Sequence, residues 1–190
     1  MIIGITGGSG VGKSTVSEKF QKRGFLIVDA DKIAHRVMDK GTDCLNEVIS
    51  FFGREYLNSD GTLDRKKLGS LVFSNKELLE RLNEITHKYI IKEIEFMVSN
   101  TPNAVIDAAV LFESGLEKMC SKTIFVSCPS DIRLERIMAR DNIGREYAEN
   151  RIKAQQSDEY YREKCDFEIV NDGDNDIEAE VEEILTCLKA

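Results

Sequence analysis

MIIGITGGSGVGKSTVSEKFQKRG, residues 1–24, is the stretch from which the fold can be read. Ile2–Thr6 is a short run dominated by isoleucine, the composition of a strand buried on both faces. GGSGVGKS at 7–14 follows at once and matches G-x-x-x-x-G-K-[ST], with Gly7, Gly12, Lys13 and Ser14 at the defining positions. Val16 and Phe20 then recur at helical spacing up to a stop at Gly24. Strand, glycine-rich loop and helix in this order turn backbone N–H groups, and the positive end of a helix dipole, toward phosphate oxygens. Gly8, Ser9, Gly10, Val11, Gly12, Lys13, Ser14 and Thr15 are therefore expected to bind a nucleoside triphosphate. Lys13 would follow the β- and γ-phosphates, and the Ser14 hydroxyl would ligate Mg²⁺. The plain alternative is a glycine-rich turn with an exposed lysine, and the strand–loop–helix setting argues against it. A dinucleotide fingerprint needs G-x-G-x-x-G, which these glycines do not form.

Outward from the loop, short apolar runs alternate with longer helical stretches, the pattern of βα units. Further strands are predicted at Phe25–Asp29, Ala104–Asp107, Thr123–Cys128 and Phe167–Val170, giving an α/β P-loop fold with a five-stranded doubly wound parallel sheet. About 75 residues of helical periodicity separate the second strand from the third, too many for an ordinary connection. One domain over 1–190 is expected: a core of 1–31, 101–129 and 164–190, a helical acceptor-binding insertion at 32–100, and a helical lid at 130–163. Near the C-terminus, Asn175 and Glu178 read as a capping-box variant before Ile177, Val181, Ile184, Leu185 and Leu188.

Composition narrows the function. A net charge of −8 opposes a general role on nucleic acid or anionic membrane, so an anionic substrate must meet a local basic cluster. Five scattered cysteines without a C-x-x-C pair suit a reducing compartment, and neither a membrane span nor a basic leader is visible, which points to the cytoplasm. Small molecules are the expected partners, with the chain a monomer or a weak homo-oligomer.

Among P-loop proteins, a GTPase switch needs a guanine-reading N-K-x-D loop, and Asn75-Lys76-Glu77-Leu78 fails at its last position. Asp141-Asn142-Ile143-Gly144 matches D-x-x-G but lies among arginines and not at a strand end. A kinase remains. Asp107 closes the third strand beside the loop, where it holds Mg²⁺ directly or through water, or simply ends the strand in a turn. Asp29 and Asp31 follow the second strand, and ligands of open α/β sheets sit beyond strand carboxyl ends. Asp31, further out, is the candidate base for a hydroxyl acceptor, with a helix N-cap as its plain alternative. His35, four residues on, would share its face at the edge of the acceptor site. Arg133, Arg136 and Arg140, at i, i+3 and i+7, would share one helix face, either solvated or closing over phosphate.

With these residues in view, the chain resembles the dephospho-CoA kinase family over nearly its whole length. The resemblance rests on GITGGSGVGKST at 4–15, VDADKIAHRV at 28–37, ITHKYI at 85–90, VIDAAVLFESGL at 105–116, RLERIMARD at 133–141, RIKAQ at 151–155 and IVNDGD at 169–174. It implies transfer of the ATP γ-phosphoryl group to the ribose 3′-hydroxyl of dephospho-CoA, with Mg²⁺. By position, Asp31 then matches the catalytic base, and Arg140 the lid arginine at the phosphates, beside Lys13. His87 and Leu111-Phe112-Glu113 match the acceptor wall, and Asn171 begins the loop near the adenine. Lys88 stands where the family usually has proline, and Ala109-Val110 where it tends to have proline and leucine. A related kinase of a nucleoside, nucleotide or small metabolite is the alternative within the fold. A non-catalytic nucleotide-binding regulator is the alternative outside it, opposed by the intact Lys13, Ser14, Asp31 and arginines.

Overall fold

The computed structural model describes residues 1–188, which form two compact units: residues 1–29 with 101 onward, and residues 30–100. The first unit carries five strands, β1 (Ile2–Thr6), β2 (Leu26–Asp29), β3 (Ala104–Asp107), β4 (Lys122–Ser127) and β5 (Phe167–Val170). All pairings are parallel and the order is β2-β3-β1-β4-β5. The chain leaves β1 toward one edge and later returns to its other side, so the carboxyl end of β1 is the switch point where doubly wound sheets bind ligands. Register aligns the strand ends there: Ile5 pairs with Asp107, and Asp107 with Asp29.

Ile3, Ile5, Val105, Ile124 and Val126 are fully buried between helices on the two faces. Helix α1 (Lys13–Gln21) supplies Val16 and Phe20 to that core, and the C-terminal helix α9 (Ile177–Cys187) supplies Val181, Ile184 and Leu185. β2 starts one residue later than predicted because Phe25 turns inward, 7% exposed, edge-on to Phe20 at 5.4 Å. β4 starts and ends one residue earlier than predicted. The expected capping box is also displaced. Asn175 donates its backbone N–H to Asp172 inside the preceding turn, and Asp176 caps α9 by accepting from the N–H groups of Glu178 and Ala179. Asp176→Ala should therefore destabilise the protein by about 1 kcal/mol and Asn175→Ala by less, read as the difference in Tm.

Residues 130–164 are three helices, α6 (Ser130–Asp141), α7 (Arg145–Lys153) and α8 (Asp158–Lys164). α6 ends at Asn142, which takes the left-handed conformation with φ 51°.

The second unit is helical, as its periodicity implied: α2 (Ala30–Arg36), α3 (Asp43–Phe52), α4 (Arg65–Phe73) and α5 (Lys76–Ser99). Side chains of Thr42, Asp64 and Asn75 cap α3, α4 and α5. Cys44, Leu45, Val48, Phe52, Leu68, Val72 and Ile85 make its separate core. Burial pushes the Cys44 thiol up to about 11, so it is a protonated packing group. α5 runs unbroken for 24 residues through Lys88, where a proline would have interrupted it. Instead Lys88 and the Tyr89 hydroxyl both donate to Glu47 on α3, at 2.6 and 2.7 Å, and the Glu47 carboxyl is held below its usual range by them. Among the described residues no helix is long and apolar enough to cross a membrane.

Candidate active site

The glycine-rich loop lies at the carboxyl end of β1 and opens α1, as the motif requires. Gly12 begins the helix at φ 87°, and a Cβ there would lie 2.0 Å from the Asn171 amide nitrogen, so both conformation and space demand glycine. No side chain caps α1, and the Thr15 and Val16 N–H groups turn back onto the Gly12 carbonyl, so the positive end of the helix opens on the loop. The Lys13 ammonium folds onto its own loop, donating to the Gly7 carbonyl at 3.0 Å. Ser14 and Thr15 are exposed at the mouth.

Three elements brace the loop from behind. Asn171, directly after β5 and 5% exposed, donates its amide N–H to the Val11 carbonyl at 2.9 Å. Arg136 donates to the Asn171 backbone carbonyl at 3.0 Å. Arg133, 6% exposed, donates through Nε to the Ser9 carbonyl at 2.7 Å and through a terminal nitrogen to Gln155 at 2.6 Å. Burial lowers the Arg133 pKa, but from so high a value that the charge remains. Asn171, expected near the adenine, thus has its side-chain donor on the phosphate loop itself.

The three arginines do not act as one face. Successive residues rise about 1.5 Å along a helix, so Arg133 and Arg140 sit about 10 Å apart along α6 even though they point the same way. The first turns of α6 pack on the loop, and the last turn stands clear. There the Arg140 guanidinium is bidentate on Asp141, with Nε and a terminal nitrogen at 2.8 and 2.9 Å, and Arg151 joins the same carboxylate. Arg140 holds the Asp141 carboxyl below its usual range.

Asp107 ends β3 as predicted, and one of its oxygens accepts from Ser17 of α1 at 2.9 Å. Among the described residues no group of three or more His, Cys, Asp or Glu is arranged to hold a metal. Mg²⁺ brought by a nucleotide needs only one or two protein oxygens, with phosphate and water completing its shell. The Ser14 hydroxyl and the Asp107 carboxylate are donors of the right kind for that ion.

Of the predicted acceptor wall in the first unit, Leu111 is 0% exposed and packs on Gly4, so it fills the core and offers nothing to a substrate. Leu111 lies in the turns that follow β3, where it faces inward while Phe112 is half-buried and Glu113 exposed. Phe112 stands edge-on to Tyr160 at 6.3 Å, with the Lys164 ammonium 5.3 Å from its ring centre, and Glu113 is exposed. In the second unit, Asp31 lies inside the first turn of α2, which begins at Ala30, so it is not the helix cap. His35 lies one turn further along and is exposed. His87 sits mid-way along α5, and burial lowers its pKa, leaving a neutral imidazole at pH 7. Sequence reading missed Ser17 and Gln155; the latter was visible only as the last letter of RIKAQ.

Comparison with known proteins agrees with this geometry. The family model described as dephospho-CoA kinase matches residues 1–176. A dephospho-CoA kinase of Fusobacterium nucleatum is 44% identical over 173 residues, covering 90% of this chain and 89% of its own. A structure of dephospho-CoA kinase from Campylobacter jejuni, 30% identical, superposes with a TM-score of 0.69 over 98% of this chain and 96% of that one. The protein TT1252 of Thermus thermophilus, 31% identical, reaches a TM-score of 0.84 over 99% and 97% of the two chains. A family match over nearly the whole length, on a phosphate loop built as its motif demands, leaves one conclusion: this chain belongs to the dephospho-CoA kinase family.

Proposed function

We propose that the protein transfers the γ-phosphoryl group of ATP to the ribose 3′-hydroxyl of dephospho-CoA, giving CoA and ADP as the last step of coenzyme A synthesis, in the cytoplasm. The observation that carries this is the phosphate loop at the switch point of the sheet, in a chain matched by the dephospho-CoA kinase family over residues 1–176. Loop N–H groups and Lys13 hold the triphosphate, whose transfer requires charge neutralisation and alignment more than covalent help. Ser14 and Asp107 would hold a Mg²⁺ arriving with the nucleotide, which would supply charge neutralisation to the phosphates. Asp31 orients the 3′-hydroxyl and takes its proton. His35, His87, Phe112 and Glu113 are assigned to the acceptor, and residues 32–100 carry its specificity. We take the working form to be a monomer or a weak homo-oligomer.

Arg140 is proposed to leave Asp141 and meet the phosphates as the lid closes, its planar fork gripping two oxygens where a lysine would grip one. Arg140→Lys should then lower kcat about tenfold or more, while equal wild-type and variant rates would leave Arg140 as a surface ion pair. The reading as a whole is tested by coupled ADP release with a panel of acceptors. Turnover with dephospho-CoA and little with adenosine or shikimate supports it. The reverse order moves the protein to another kinase class.

A further inference from the structure

Three hydrogen bonds converge on Ser9 of the phosphate loop, and a fourth ties together the two side chains that make them. The Ser9 backbone N–H donates to Gln155 Oε1 at 2.9 Å, and Gln155 Nε2 donates to Ser9 Oγ at 3.1 Å. Arg133 Nε donates to the Ser9 carbonyl at 2.7 Å, and its terminal nitrogen donates to the same Gln155 Oε1 at 2.6 Å. Every polar group of Ser9 is thus engaged from outside the loop, by one residue on α6 and one in the connection between α7 and α8. The arrangement is single-valued. Gln155 Oε1 receives two donors, so its carboxamide cannot flip without setting Nε2 against the Arg133 guanidinium and a backbone N–H. Glycine at position 8 makes room for this contact, since a Cβ there would lie 1.9 Å from the Arg133 terminal nitrogen.

The charge is also unusual. Arg133 is 6% exposed, its bonds at the loop are to neutral oxygens, and the Asp158 carboxylate stands 3.8 Å away. A buried cation whose nearest carboxylate lies beyond hydrogen-bond reach leaves positive potential at a loop built to receive a triphosphate.

We infer that Gln155, backed by Arg133, is a positioning residue for phosphoryl transfer: it holds the Ser9 peptide in the shape that accepts the nucleotide phosphates. The pair acts through the loop. Because phosphoryl transfer depends on alignment, a loop freed at Ser9 loses rate as well as ATP affinity. This rests on the loop as the ATP site, and nucleotide binding measured alone tests it separately from the identity of the acceptor.

The test uses the full chain with Gln155→Ala, Arg133→Met and the double variant. ATP and ADP affinity are measured by calorimetry, kcat and both KM values by ADP release, and Tm by scanning. Gln155→Ala should lower kcat/KM for ATP about tenfold or more, with KM for dephospho-CoA within about twofold of wild type and Tm little changed. The double variant should lose much less than the product of the single losses, since both residues act on Ser9 and share the Gln155 oxygen. Arg133→Met is the variant more prone to fold poorly, and Gln155→Ala alone then decides. Wild-type ATP affinity and kcat in Gln155→Ala, or KM values for both substrates rising together with a fallen Tm, would overturn the inference in favour of a purely structural contact.

Discussion

Lys13→Ala is expected to lower kcat by about 10³-fold while the protein keeps its fold. The two halves of that expectation come from different observations. Stability should barely change, because the ammonium's bond in this structure is a half-buried contact to the Gly7 carbonyl, and the sheet and helix cores lie elsewhere. Rate should collapse, because the side chain is the mobile point charge that can leave that carbonyl and follow the γ-phosphoryl group through transfer. Steady-state kinetics and a Tm on the same preparation check both. A folded variant turning over at near wild-type rate would show the loop to be a nucleotide grip without a catalytic lysine.

Asp31→Asn should lower kcat by about 10²-fold or more with ATP affinity kept, since the amide preserves shape and hydrogen bonding but cannot accept the hydroxyl proton. The structure sharpens this experiment. Had Asp31 been the N-cap of α2, loss of stability and loss of rate would have been entangled. α2 begins at Ala30, so Asp31 occupies its first turn, where a carboxylate lies near the positive helix end. A fall in Tm with an unchanged kcat would therefore send the search for the base elsewhere, with Asp29 as the next carboxylate along the chain.

The phosphate loop and the sheet were legible in the sequence because each is a local pattern. A glycine motif following an isoleucine-rich strand admits few structures, and parallel strands buried on both faces announce themselves as short apolar runs. The insertion was legible as helical for the same reason, through about 75 residues of helical periodicity, and Leu45, Val48 and Phe52 of α3 are among the residues it buries. Leu111, Arg133 and Gln155 were not, and their failure has one cause. Each is decided by what lies against it from far along the chain. Leu111 packs on Gly4, and Arg133 and Gln155 meet Ser9 across 124 and 146 residues. A motif names a residue as part of a family's pattern without saying which atom it serves. The Asn175 cap failed by one residue, since two neighbouring side chains of equal capping ability differ only in which the turn at Asp172 leaves free.

The pairing of Arg140 with Asp141 changes how the proposed lid arginine should be thought of. Bonds from this guanidinium to a nucleotide would be an exchange, since two charge-assisted bonds at 2.8 and 2.9 Å are surrendered as two form. In a ground-state complex the trade is close to even and adds little to affinity. As the γ-phosphoryl group separates and charge gathers on its oxygens, the phosphate side of the trade becomes the better one, and the carboxylate left behind retains Arg151. An aspartate beside a catalytic arginine would in this way strip out binding that does not discriminate between substrate and transition state, leaving the part that does.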